Sequence, residues 1–279
     1  MGARAATGVL VGEARLGMPA ASATSASSSA TAETASRPTA TARQEAQKQA
    51  EAQPILPLGV PGKWHLRFSD EFAGSTLDDS KWTPGWFGTG VTQPVNLKSP
   101  ECNDSAQVQL RGDGALTLSL IEKKTFCGGA ERPYVSGLVS SNGKFEFRFG
   151  VAEARIYLPG DANGLVYNWP AFWTNGQKWP YDGENDIMEG LGGTVGPHFH
   201  SPRGHPGFTV PGSWSGWHTF AAEWAPGAVT YYYDGKVVGS IHTGITEAPM
   251  YLVLGYGATS NAKATPADMK IDYVRVWQR

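Results

Sequence analysis

Two cysteines in 279 residues, Cys102 and Cys127, exclude a scaffold built from disulfides and any cysteine-rich metal cluster. If they pair they close a single loop, as an exported chain permits; two free buried thiols satisfy the sequence equally well. Charge is scarce too, with 17% of residues charged and a formal net charge of −2. Such a chain has no electrostatic attraction for nucleic acid, and an uncharged partner suits it better. No run is long and apolar enough to cross a bilayer. No aromatic side chain precedes Trp64, although Phe, Trp and Tyr make up 11% of the chain. Residues 1–56, mostly Ala, Ser, Thr, Gln and Glu, offer too little apolar surface to offset the entropy of ordering and are expected to be a disordered linker. Arg4 and the small residues after it suit an export signal, but Glu13 and Arg15 interrupt its apolar core, so the signal is an atypical one. A compact domain is expected over residues 57–279, secreted and monomeric.

Within that domain the dominant period is two. In KFEFRFGVAEARIYL, Phe145, Phe147 and Phe149 alternate with Lys144, Glu146 and Arg148, as a half-buried strand requires. ALTLSLIEK, YVSGLVSS, WHTFAAEW, MYLVLGY and MKIDYVRVWQ read in the same way, and Asp234-Gly235 in YYYDGKVV predicts a two-residue hairpin turn. The 35 glycines and 19 prolines punctuate these runs, with no convincing amphipathic helix between them and no repeat of fixed period. The expected fold is all-β, an antiparallel β-sandwich.

One stretch stands out against the low charge: GENDIMEG, residues 183–190, with Glu184, Asp186 and Glu189. Pro180, Gly183 and Gly190 argue against a helix there. On a regular strand Glu184 and Asp186 share a face and Glu189 turns away; one extra residue, a β-bulge at Ile187 or Met188, returns it to theirs. Two inward-leaning glutamates on a concave sheet could then approach to about 5.5 Å, the spacing of a retaining glycosidase. Asp186 between them would raise a neighbour's pKa and keep one carboxyl protonated. Trp169, Trp173 and Trp179 lie just upstream, and indole faces stack on the C–H surfaces of sugar rings.

These residues resemble glycoside hydrolase family 16, retaining endo-acting β-glucanases with a concanavalin-like jelly roll. The likeness runs through FSDEFAGSTLDDSKW, YVSGLVSSNGKFEFRFGVAEARIYLPG, WPAFW, ENDIME, WHTFAAEWAPGAVTYYYDGKVV and IDYVRVWQ. It implies Glu184 as nucleophile, Glu189 as general acid and then base, and Asp186 as their assistant. It also implies Trp169 and Trp173 as glycone-side platforms, Glu153 and Arg155 as cleft hydrogen-bonding residues, and a leaving-group contact near His198 and His200. No cofactor is implied for catalysis; a structural calcium ion, held by some members away from the cleft, would here use Glu71 and Asp272. Two positions depart from the family pattern: Asn185 replaces an aliphatic residue, and Gly255 stands where an Asn is common. The implied activity is endo-hydrolysis of β-1,3 or mixed β-1,3/1,4-glucan, with galactan or agar cleavage or glycosyl transfer on the same fold as alternatives.

Two rivals use the same residues differently. His198 and His200 share a strand face with His205 close by, a spacing that could hold a transition metal on a cupin-like barrel. A lectin-like module would use the tryptophans and leave the acids inert.

Overall fold

The computed structural model describes residues 54–259 and 263–279; the predicted export signal and nearly all of the linker lie outside the described residues. Those residues form two packed β-sheets and one short 3₁₀ turn, Ser105–Gln107. The larger sheet has eleven strands, its main path running Lys236–Ile241, Ala228–Tyr233, Gly216–Ala225, Gly150–Leu158, Ala267–Gln278, Leu116–Cys127, Ala130–Ser136, Glu101–Asp104 and Val91–Thr92. The smaller has six, in the order Thr194–His200, Glu184–Leu191, Trp169–Gly176, Met250–Gly257 and Leu138–Ser140, with Glu146–Phe147 also paired to Met250–Gly257. Pairing is antiparallel except between Glu101–Asp104 and Ala130–Ser136, which run parallel.

The alternation of apolar residues sets the core. Ala152, Ala154 and Ile156 of the large sheet meet Phe172, Met188, Leu252 and Leu254 of the small one in a single buried cluster. Each fully buried large side chain contributes about 2–3 kcal/mol of apolar transfer, so this interface dominates the stabilisation of the fold. Asp234 and Gly235 adopt φ of 47° and 73° and close the expected hairpin between Tyr233 and Lys236.

Two stretches expected to be single strands are each divided between the sheets. YVSGLVSS leaves the large sheet at Ser136 and enters the small one at Leu138; a Cβ on the intervening Gly137 would lie 2.4 Å from the Gln107 carbonyl oxygen. KFEFRFGVAEARIYL pairs in the small sheet only at Glu146–Phe147, turns at Phe149 and Gly150 (φ 58° and 129°), and continues in the large sheet as Gly150–Leu158. Its three phenylalanines still face the core, Phe145 stacking on Phe68 and both Phe147 and Phe149 packing edge-on against Trp224.

Cys102 and Cys127 form a disulfide that ties the strand Glu101–Asp104 to the end of Leu116–Cys127. Closing a loop of 25 residues restricts the unfolded chain by about 3.5 kcal/mol in the loop-entropy model. The first described residues, from Pro54, pack on the domain that the sequence places at residues 57–279. Ile55 accepts a hydrogen bond from the Trp277 indole at 2.7 Å, and Val60 and Trp64 cover the outer face of the large sheet.

Candidate active site

The acidic strand Glu184–Leu191 crosses the small sheet between the tryptophan strand Trp169–Gly176 and the histidine strand Thr194–His200. Along the histidine strand the register passes from Asp186 opposite His198 to Glu189 opposite Gly196, three steps against two. That extra residue is a β-bulge, and both residues it frees, Ile187 and Met188, enter the core. Glu184, Asp186 and Glu189 therefore stand on the opposite, outer face. Asn185 points the other way, fully within the sandwich, where its Oδ1 accepts a 2.7 Å hydrogen bond from the Tyr231 hydroxyl of the large sheet.

Each acid has a dedicated nitrogen partner. The Trp169 indole donates to Glu189 Oε1 at 2.9 Å, and His198 Nδ1 lies 3.0 Å from Glu189 Oε2. That second approach is a close contact without the alignment of a well-formed hydrogen bond. His200 Nε2 lies 2.9 Å from Asp186 Oδ2, and the Trp179 indole donates to Glu184 Oε2 at 2.5 Å. Trp169 is aimed by its neighbour Asn168, held at φ 62° by hydrogen bonds to the Tyr256 hydroxyl and to both backbone groups of Thr265. Trp179 sits in a turn closed by Asp182, whose backbone N–H meets the Lys178 carbonyl and whose carboxylate accepts from the Lys178 N–H.

Burial and mutual repulsion hold protons in this cluster. Burial first, then the charge of Asp186, pushes Glu184 up to about 7, while His200 and the Trp179 N–H pull it back. Asp186 is held well above the usual carboxylate range by burial and by Glu189. Contact with Glu189 raises the His198 pKa against the opposing effect of burial. Near neutral pH the acids thus share protons, so a proton donor and a carboxylate coexist on one face. Beside Glu189 and His198 lies a hollow of about 340 Å³ lined also by Thr194, Gly207 and Phe208. A larger hollow of about 580 Å³ beside Pro54, Trp64 and Arg67 contains no carboxylate and has no part in this chemistry.

The tryptophans differ in what they can do. Trp179 is 56% exposed and presents an open indole face beside Glu184, whereas Trp169 is half-buried. Trp173 faces the same side as Asp186 but is buried under Trp86, whose ring is stacked on it at 6.1 Å. The surface available to a ligand is therefore Trp86, with Trp173 as its support. Trp86 is not among the candidate platforms of the sequence, where its single signal is a bulky ring in the glycine-rich run GWFGTG.

Glu153 and Arg155 are not in the cleft. Because Ala152, Ala154 and Ile156 face the core, their neighbours emerge on the outer face of the large sheet, across the sandwich from the acids. Glu153 is buried there, accepting hydrogen bonds from the Leu58 N–H and the Tyr273 hydroxyl, and Arg155 pairs with Asp272 at 2.8 Å beneath Trp217. Glu71 is held through both oxygens by Arg275. The expected calcium ligands thus face guanidinium groups that would repel a cation, and they do not fit a calcium ion. His200 lies between Asp186 and His205, at 2.9 Å and 2.8 Å, while Asp186, Glu189 and His198 bring donor atoms within 4.8 Å of one another, a set that could hold a metal ion.

Carboxylates gathered by a bulge among indoles, on the exposed face of a two-sheet sandwich, meet the requirement of chemistry that uses two acids. Residues 98–275 match glycosyl hydrolases family 16, and the chain belongs to that family. Glucan endo-1,3-beta-glucosidase A1 of Niallia circulans is 26% identical, with 77% of this chain and 38% of that protein covered. Beta-glucanase of Rhodothermus marinus is 27% identical, with 77% and 85% covered. The laminarinase catalytic domain of Thermotoga maritima MSB8 shares the fold with a TM-score of 0.67 at 24% identity, with 78% of this chain and 99% of that one covered. The chain thus spans well under half the length of the Niallia protein.

Proposed function

We propose that this protein is an endo-acting, retaining glycoside hydrolase that cuts β-1,3 or mixed β-1,3/1,4-glucan. The observation that carries the reading is the bulge at Ile187 and Met188, which gives Glu184 and Glu189 a common face with Asp186 between them. Glu184, oriented by Trp179, attacks the anomeric carbon while Glu189, oriented by Trp169 and His198, protonates the departing glycosidic oxygen. The glycosyl–enzyme ester on Glu184 then breaks when Glu189, now a base, takes a proton from the incoming water. Asp186 holds the shared proton and limits the charge that accumulates between the glutamates. Trp86 and Trp179 offer stacking surfaces for the sugar chain on the Glu184 side, and the hollow beside His198 receives the leaving-group side.

The glucan preference follows the names of the relatives, which act on β-1,3-glucan or on β-glucan. Secretion is part of the same reading: the disulfide suits an oxidising compartment, and no helix among the described residues is long and apolar enough to cross a membrane. The test is release of reducing ends from soluble β-1,3-glucan, mixed-linkage glucan and β-galactan, with anomer detection by NMR. Wild type should release product first as the β-anomer, and Glu184→Gln should release none. A first product of inverted configuration, or polymer bound by both proteins and cut by neither, would refute the reading.

A further inference from the structure

The face that carries the three acids continues one step beyond them. Leu191 follows Glu189 by two residues, so the strand alternation returns it to the same face, where it is 44% exposed. It is the last residue of its strand. Across the turn at Gly192 and Gly193 it stands opposite Thr194, whose hydroxyl is spent on the Leu191 carbonyl at 3.1 Å. Leu191 and Thr194 both line the hollow of about 340 Å³ beside Glu189 and His198, and residues 207–209 line it as well.

The one phenyl ring among these lining residues points elsewhere. Phe208 packs edge-on against Tyr231 with ring centres 5.9 Å apart, and a Cβ on Gly239 of the large sheet would meet its ring at 2.5 Å. Toward the histidine strand it presents backbone: a Cβ on Gly196 would lie 2.2 Å from the Phe208 carbonyl oxygen. Gly207 lies as closely against the His198 ring, with room for hydrogen alone. Leu191 is therefore the largest apolar side chain that the hollow offers to a sugar. The Glu184 side is equipped differently, with the exposed indole of Trp179 and the half-buried one of Trp86.

We propose that Leu191 is the contact for the leaving-group sugar, and that so small an apolar surface leaves the glycosyl–enzyme ester to water, with little transfer to a second sugar. This rests on the hydrolase reading above. Once the glycosidic bond is cut, the part of the chain on the Glu184 side stays covalently attached, and the other part is held by the hollow alone. Two kinds of oxygen can then attack the anomeric carbon. In either case the Glu184 ester bond breaks as the new carbon–oxygen bond forms, and the proton of the attacking O–H passes to Glu189; nothing is oxidised or reduced. Attack by water gives hydrolysis. Attack by a hydroxyl of another glucan chain seated in the hollow gives a longer chain. The partition follows how often the hollow holds a sugar during the life of the ester. An isobutyl group covers much less of a pyranose ring than an indole does, so it holds a departing or incoming sugar weakly. Leu191 thus sets the choice of acceptor, while the tryptophans hold the donor.

The test uses the full chain and a linear β-1,3-linked glucose pentasaccharide at high concentration, with products sorted by length in a mass spectrometer. Wild type should give almost only products shorter than the pentasaccharide. Leu191→Trp lays an indole on the hollow and should raise the ratio of longer to shorter products by about fivefold or more, with Leu191→Tyr as the smaller ring. Longer products predominating in the wild type, or a ratio that neither ring moves, overturns the proposal. A second measurement needs no turnover: the NMR signals of the Leu191 methyl groups in Glu184→Gln as the pentasaccharide is added. These signals should shift and saturate, and signals that stay in place overturn the contact. If the wild type cuts neither the pentasaccharide nor any polymer, the hydrolase reading fails on its own, while the methyl titration still decides whether Leu191 meets the sugar.

Discussion

The Trp179 indole does two jobs at once, offering a stacking face to solvent and donating a hydrogen bond to Glu184. Trp179→Phe keeps most of the face and removes the donor. Because that hydrogen bond favours the ionised form, its loss should lift the Glu184 pKa above about 7. The acid limb of the kcat/KM profile should move to higher pH, with a loss of about threefold to tenfold at pH 6, where fewer molecules hold an ionised nucleophile. A pH–rate series on both proteins checks it. Asn185 is the other single residue with a legible task, a polar bridge through an apolar core. Asn185→Leu or Tyr231→Phe alone leaves a buried polar group without its partner and should cost about 1–3 kcal/mol in urea unfolding. The double variant should recover part of that loss, which a double-mutant cycle would measure.

At the scale of the element, the bulge converts a strand that would hide one glutamate into one that presents all three acids. Met188→Ala keeps the residue count and should cost about 2–4 kcal/mol of stability from lost core packing while activity per folded molecule survives. Deleting Met188 removes the bulge, turns Glu189 toward the core and should abolish activity beyond detection. Comparing turnover per folded molecule in the two variants separates lost register from lost packing. The bulge was legible in the sequence because parity along a strand is a local property: an odd spacing between Asp186 and Glu189 must be corrected if both are to share a face. The passage of the chain between sheets at Gly137 and Gly150 was not legible. Each reads as an uninterrupted alternation, and only the close approach of distant backbone reveals why a side chain is excluded there.

For the molecule as a whole, burial of carboxyls ties stability to pH. Glu101 is buried beneath the start of the disulfide-anchored strand, accepts a hydrogen bond from the Ala258 N–H, and is pushed by burial up to about 7. A carboxyl with a raised folded-state pKa binds its proton more tightly when folded. Its contribution is present below the unfolded value of 4.5 and is lost as pH rises through about 7. The melting temperature should therefore fall between pH 5 and pH 8, by the equivalent of up to about 3 kcal/mol from this group. Glu101→Gln should flatten that fall, and equal slopes in the two proteins would sink the assignment.

The sequence by itself determined the all-β class, the hairpin at Asp234-Gly235, the acidic stretch and its bulge, because each depends on local alternation or on backbone freedom at one or two residues. It could not determine which sheet covers which face. Glu153 and Arg155 share a strand face in the sequence as surely as Glu184 and Asp186 do, yet they emerge on the far side of the sandwich. That choice was made by Ala152, Ala154 and Ile156 meeting side chains from strands distant in the chain. The pleat fixes parity locally, whereas the direction of a face is set only when the two sheets close on a common core.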